Sequence, residues 1–161
     1  MLIREINVTH AVINEHAAIF YELIDLIVDA MRENGVQADR TINQVSRDKL
    51  NVIVGHTIFL PPNILSEIRS LSPSYVVFQL EALDEEQGFL SKRPAYREFL
   101  RGAKQVWDYS KQNARLMSAL RIADVRHIPI GYSPRLELIV DRDEHDIDVL
   151  FTEPCPFDAN R

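Results

Sequence analysis

The chain is 161 residues long, with 46% hydrophobic and 26% charged residues and a formal net charge of -6. This length suits a single domain with a buried core. The acidic balance argues against a nucleic-acid surface, because phosphate binding needs clustered Lys and Arg and none is clustered along the sequence. Small molecules or proteins are therefore the expected partners.

The single cysteine, Cys155, has no partner within the chain. This excludes a disulfide framework and a cysteine-based zinc site, and it favours a reducing, cytoplasmic compartment. The N-terminus carries charges at Arg4 and Glu5 instead of a signal-peptide apolar run. No later stretch approaches about 18 apolar residues, so we expect neither a targeting segment nor a membrane span.

The first part of the chain has the order strand, helix, strand. Residues 6–12 mix β-branched and polar side chains in the manner of a strand. Residues 14–35 place apolar side chains at helical spacing, with Asn14 as the predicted N-cap and Gly35 as the stop. Residues 49–59 are a short apolar run between polar residues, which predicts the next strand.

A second helix is predicted from the prolines at 61 and 62 to Ser72 and Pro73. The strand that follows, residues 75–80, is almost entirely apolar, as strands are when helices cover both faces of a parallel sheet. Residues 82–91 are acidic and irregular, which indicates a surface loop.

The alternation continues with a helix over residues 95–101, stopped by Gly102, and a strand over residues 105–109. Ser110 is the predicted cap of a further helix, and residues 125–130 form the next strand. Six or seven strands alternating with helices predict a Rossmann-like α/β fold. Its sheet is expected to be doubly wound and mostly parallel, with helices on both faces and ligands at the carboxyl ends of the strands.

The end of the chain is less regular. Residues 141–148 form an acidic stretch that we interpret as an exposed connector, and residues 149–152 form a last short strand. This strand either begins a second domain or adds to the edge of the sheet. The predicted division is therefore a Rossmann-like domain over residues 1–140, followed by residues 141–161.

Several common site motifs are missing. Phosphate-cradling loops need glycine close to a strand end, but the sequence has five glycines and neither G-x-G-x-x-G nor G-x-x-x-x-G-K-[ST]. It also lacks G-x-S-x-G and H-E-x-x-H, and its histidines do not fall at metal-ligand spacing. We therefore expect no self-contained dinucleotide site, no bound cofactor and no metal.

Two ionisable residues follow predicted strands, where an open α/β sheet binds its ligands. His56 comes after the strand that contains LNVIV, and Glu81 ends the most apolar strand. His56 is either a loop histidine bonded to backbone or a sugar or acid/base contact. Glu81 is either a capping or salt-bridged carboxylate or a general base for an acceptor hydroxyl.

The stretch WDYSKQN, residues 107–113, ends one strand and opens a helix. Asp108, Ser110 and Asn113 are candidates for a polar cleft, with Trp107 or Tyr109 stacking on a sugar ring. The alternative is structural, with Trp107 in the core and Ser110 acting only as an N-cap.

The next strand is followed by a turn that contains Gly131 and Tyr132. Gly131 most simply serves the backbone of this turn. Tyr132 either seals the cleft or packs on the core.

Four segments in this order, YVVFQLEAL, VWDYSKQN, HIPIGYSP and DIDVLF, resemble the N-terminal region of bacterial glycosyltransferases of the GT-B type. The resemblance spans residues 51–151. It implies a Rossmann-like domain that helps to bind the acceptor, a small molecule or glycan, and that faces a C-terminal domain holding the nucleotide-sugar. The matched positions are Gln79, Glu81, Asp108, Ser110, Asn113, Gly131 and Tyr132.

On the glycosyltransferase hypothesis, the matched Glu81 or the strand-end residue His56 deprotonates the acceptor hydroxyl, so these two are the candidate catalytic residues. The other matched positions then have a substrate-binding role. After Phe151 the chain reads TEPCPFDANR, where the family has a glycine- and serine-containing loop. We therefore expect the chain to be incomplete as an enzyme. Self-association into a homodimer through the face turned to the missing domain is a further hypothesis. The alternative function is a non-catalytic, flavodoxin-like binding or regulatory module.

Overall fold

The computed structural model describes residues 5–12, 20–55, 62–71, 74–83, 88–122, 124–131 and 133–134. The strands are β1 (Glu5–Ala11), β2 (Gln37–Ile42), β3 (Leu50–Gly55), β4 (Tyr75–Gln79), β5 (Gln105–Asp108) and β6 (Asp124–His127). The helices are α1 (Tyr21–Glu33), α2 (Pro62–Leu71), α3 (Pro94–Gly102) and α4 (Lys111–Ala119).

The strands form one six-stranded, entirely parallel sheet in the order β2-β1-β3-β4-β5-β6. This confirms the predicted Rossmann-like α/β fold. Because β2 lies on one side of β1 and β3 on the other, the strand order reverses between β1 and β3. Sheets of the flavodoxin-like order reverse at the same place.

The sheet has a hydrophobic core on each face. One core contains Ile24 and Val28 of α1, and the other contains Phe99 and Leu100 of α3 together with Met117 of α4. All residues of β4 are buried, because successive side chains point to opposite faces and both faces are covered. The helices therefore lie on both faces, as the apolar run in β4 predicts.

The connection between β2 and β3 was not predicted from the sequence. Both strands are parallel to β1 and lie on either side of it, so residues 43–49 must run back across one face of β1 without forming a helix. Sequence reasoning also missed β2 itself, since its residues QADRTI lack the apolar character of a central strand. We call residues 43–49 the crossing segment.

Buried polar residues of the sheet hold the crossing segment in place. The Asn7 amide nitrogen donates to the Gln44 carbonyl at 3.0 Å and to Asn51 Oδ1 at 3.0 Å. Asn51 accepts from the Ser46 N–H at 2.7 Å and donates back to the Ser46 carbonyl at 2.8 Å. The Thr9 hydroxyl accepts from the Gln44 N–H at 3.2 Å. The polar side chains of β1, Asn7 and Thr9, therefore contact the crossing segment instead of water.

Helix boundaries follow local capping rules. The described part of α1 begins at Tyr21 with Phe20 in the N-cap position, and the predicted cap Asn14 lies outside the described residues. The predicted stop at Gly35 is confirmed, because this residue has φ 75° and its N–H donates to the Arg32 carbonyl at 3.0 Å. The N-cap role of Ser110 is confirmed as well.

Among the described residues, the two outermost strands of the sheet, β2 and β6, carry charged residues. Asp39 and Arg40 lie in β2, and Asp124 and Arg126 lie in β6. The strand predicted over residues 125–130 ends earlier, at His127, and the following residues leave the sheet after Ile128 donates its N–H to the Asp108 carbonyl at 2.8 Å. The predicted elements beyond residue 134 lie outside the described residues. No described helix has the length and apolar character needed to cross a membrane.

Candidate functional site

Three buried polar side chains meet at the carboxyl ends of β4 and β5. Gln79 is the last residue of β4, Asp108 is the last residue of β5, and Asn113 lies in the first turn of α4. Gln79 Nε2 donates to Asp108 Oδ2 at 3.2 Å, and Asn113 Nδ2 donates to the same oxygen at 3.1 Å. Neighbouring parallel strands end at one edge of the sheet, which is why residues far apart in sequence come together here.

The same side chains hold the backbone of Glu81 from both sides. Gln79 Oε1 accepts from the Glu81 N–H, and Gln79 Nε2 donates to the Glu81 carbonyl at 2.6 Å. Asn113 Nδ2 donates to that carbonyl at 2.9 Å, while Asn113 Oδ1 accepts from the Leu83 N–H at 3.1 Å. The chain leaving β4 is thereby fixed to α4. The side chain of Glu81 is half-buried.

These bonds use the full donor capacity of the two amides. Each amide nitrogen has two N–H groups, and in both Gln79 and Asn113 one goes to Glu81 and the other to Asp108. Both amide oxygens accept a backbone N–H. A ligand acceptor would have to displace an existing bond in order to bind either amide nitrogen. We call the group formed by Gln79, Glu81, Asp108 and Asn113 the Glu81 network.

Asp108 carries the buried carboxylate of this network. Its Oδ1 accepts from the Ser110 N–H at 2.6 Å, so both carboxylate oxygens are hydrogen-bonded. Burial raises the pKa of the Asp108 carboxyl above its usual range, whereas the hydrogen bonds that it accepts act in the opposite direction. The donors around Asp108 therefore offset part of the cost of burying its carboxylate.

Ser110 and the two aromatic residues have structural contacts. The Ser110 hydroxyl accepts from the Asn113 N–H at 3.3 Å, as an N-cap does. Trp107 is half-buried, meets Phe78 edge-on at 6.3 Å and donates its indole N–H to Gln105. Tyr109 is exposed, and its hydroxyl donates to the Leu80 carbonyl at 3.3 Å.

Of the remaining predicted site residues, Gly131 alone lies within the described residues, and it is not part of the network. Gly131 is exposed, and a β-carbon there would meet no atom within 4 Å of the described structure. His56 and Tyr132 lie outside the described residues, so their site roles stay predictions. No cluster of three or more His, Cys, Asp and Glu side chains suited to a metal occurs within the described part of the chain.

His127 at this edge was not singled out from the sequence. It ends β6 beside Asp108, and its Nε2 donates to the Tyr109 carbonyl at 3.1 Å. The signal available in the sequence was its position in the strand predicted over residues 125–130, but that prediction extends the strand too far toward residue 130. His127 was therefore placed in the middle of the strand instead of at its carboxyl end.

Comparison of the chain with known protein families, curated proteins and solved structures finds no match in any of the three.

Proposed function

We propose that this chain is the acceptor-side domain of a cytoplasmic, bacterial GT-B type glycosyltransferase. In this proposal Glu81 acts on an acceptor hydroxyl at the carboxyl edge of the sheet, and a second domain supplies the nucleotide-sugar. The observation that carries the proposal is the double hold on the Glu81 backbone by Gln79 and Asn113.

Hydrogen bonds to both the N–H and the carbonyl of Glu81 fix its backbone, which suits a residue whose carboxylate must be placed accurately. General-base catalysis requires the carboxylate within hydrogen-bond reach of the proton that it removes. Because the N–H and the carbonyl of Glu81 are fixed in advance, its backbone loses little conformational entropy when an acceptor binds. On this view Gln79, Asp108 and Asn113 are positioning residues, and they support Glu81 without touching the acceptor.

The proposed reaction is a displacement at the sugar's anomeric carbon. The acceptor oxygen forms a bond to that carbon as its proton passes to the Glu81 carboxylate. The bond between the anomeric carbon and the pyrophosphoryl oxygen breaks, and the nucleoside diphosphate leaves with the bonding electron pair. The described residues supply the acceptor side of this reaction only.

A second candidate function is a non-catalytic binding or regulatory module. It is favoured by the satisfied state of the Glu81 network, since the donors of Gln79 and Asn113 are all used within the protein. On this view the hydrogen bonds of the network have a structural role and hold β4, β5 and α4 together.

Sugar binding separates the two candidates. We would titrate the chain with glucose and with N-acetylglucosamine and follow the backbone amides by ¹H–¹⁵N NMR. The acceptor-domain proposal expects saturable shifts at Glu81 and Ser110, and Glu81→Gln should weaken them severalfold. Glu98→Gln is the matched control, because Glu98 is an exposed glutamate in α3 that pairs with Arg101.

Shifts that survive Glu81→Gln unchanged would remove Glu81 from the site. The absence of any saturable shift with either sugar would favour the non-catalytic module.

A further inference from the structure

A groove lies between α4 and the edge strand β6. It is an open depression of about 490 Å³ lined by both elements, with Lys111, Ala114, Arg115 and Ser118 on the helix and Val125 and His127 on the strand. Lys111 and Arg115 are one helical turn apart, so their side chains lie on the same face of α4. His127 faces them from the strand.

The groove is cationic although the protein as a whole is acidic. Its lining contains Lys111, Arg115 and His127, and none of the lining residues within the described part of the chain is a carboxylate. Within the described residues neither Lys111 nor Arg115 forms an ion pair, and both side chains are exposed. The whole chain has a net charge of -6, so the positive charge of this groove does not follow from the overall composition.

The groove also lies at the edge of the sheet where ligands of open α/β proteins bind. His127 is the last residue of β6, and Lys111 is the first residue of α4. The amino end of a helix carries a partial positive charge, which adds to the field of the two side chains. The bond from His127 Nε2 to the Tyr109 carbonyl fixes the ring and leaves Nδ1 as its second polar atom.

We propose that this groove binds a phosphoryl group, with Lys111 and Arg115 contacting its oxygens and His127 closing the site from the strand side. Arg and Lys are the usual partners of phosphate oxygens, and Ser118 supplies a hydroxyl donor at the far end of the groove. The phosphoryl group belongs to a sugar phosphate or to a nucleoside diphosphate. The inference does not depend on glycosyl transfer, since it rests on a different face of α4 from the one that holds Glu81.

The test is an NMR titration of the whole chain with inorganic pyrophosphate at fixed ionic strength, because salt screens such contacts. We expect saturable shifts confined to the amides of Lys111 and Arg115 and to the His127 ring. Parallel titrations with glucose 1-phosphate and with UDP identify the source, because the natural class should bind more tightly than pyrophosphate.

Lys111→Gln combined with Arg115→Gln should weaken pyrophosphate binding about tenfold or more, since two charge-assisted contacts are lost. The control is Arg69→Gln combined with Lys92→Gln, which removes the same charge from exposed positions outside the groove. Equal weakening in the control would reduce the effect to overall charge and overturn the proposal. Failure of all three phosphates to shift the groove residues would overturn it as well. Sugar shifts at Glu81 are a separate readout, so either proposal can fail alone.

Discussion

The hydroxyl oxygen of Tyr75 lies 2.5 Å from the position that a β-carbon would occupy at residue 102. This hydroxyl donates to the Phe99 carbonyl at 2.8 Å, and the Tyr75 ring stacks on Phe99 at 5.2 Å. Tyr75 in β4 is thus locked against the last turn of α3, and the contact requires a glycine at the end of that helix.

Gly102→Ala is expected to destabilise the protein by about 1–3 kcal/mol, because the new methyl group displaces the buried hydroxyl. In a Tyr75→Phe background the nearest atom is the ring carbon Cζ at 3.6 Å, an ordinary contact, so the same change should cost little. Urea unfolding of the two single variants and the double variant measures this coupling. Additive free energies would show that the close approach has no energetic effect.

Tyr75 also predicts a loss of stability at high pH. Burial raises the pKa of its hydroxyl from 10.0 to about 12. Between these values the unfolded chain releases the proton while the folded protein retains it, so the free energy of unfolding falls as pH rises. Below about pH 9 both states retain the proton, so this group should contribute almost no pH dependence there. Unfolding measured from pH 9 upward should show a smaller decline in Tyr75→Phe, and an unchanged decline would assign it to other groups.

Asn113→Ala is expected to lower the free energy of unfolding by about 2–4 kcal/mol. The change leaves the buried Leu83 N–H without its acceptor and removes one donor from Asp108. Gln112→Ala, at the exposed neighbouring position of α4, is the control and should change stability by less than about 0.5 kcal/mol. Hydrogen exchange at the Leu83 amide should accelerate only in Asn113→Ala. Similar losses in the two variants would show that the network adds nothing beyond helix propensity.

Arg121→Gly is expected to stabilise the protein by about 0.5–1 kcal/mol. Arg121 has φ 53° directly after the C-cap of α4, and its N–H donates to the Ser118 carbonyl at 3.0 Å. Glycine adopts this conformation without strain. The strain energy removed is larger than the free-energy cost of the extra backbone entropy that glycine loses on folding. Thermal unfolding compares it with Arg121→Ala, which keeps the strain. An equal gain in the alanine variant would point to the arginine side chain instead of the backbone.

The elements that were predicted correctly are those whose signals lie within their own residues. The apolar run of β4, the N-cap Ser110 and the stop at Gly35 are local signals, and the structure has all three. The strand β2 escaped prediction because an edge strand needs only a few buried residues, and here Ala38 is the buried one. The crossing segment escaped because its partners, such as Asn51, lie in another strand.

The site was predicted in part for the same reason. Strand ends predicted Glu81 and Asp108 as candidates at the carboxyl edge of the sheet, whereas Gln79 was named only through the family resemblance. The sequence does not show that Gln79 and Asn113 turn their amides on the Glu81 backbone, since that depends on how β4, β5 and α4 meet. The cationic groove was missed because Lys111, Arg115 and His127 are separated along the chain and gather only when α4 packs beside β6.

The two outermost strands of the described sheet affect how the protein associates at high concentration. An unpaired strand edge offers free main-chain groups to a second molecule, and this is a common start of aggregation. Here β2 carries Asp39 and Arg40 and β6 carries Asp124 and Arg126, so an incoming apolar strand would bring charged groups out of water. Continuous extension of the sheet from copy to copy is therefore disfavoured, and any pairing of copies is expected to use a helical face or the carboxyl edge.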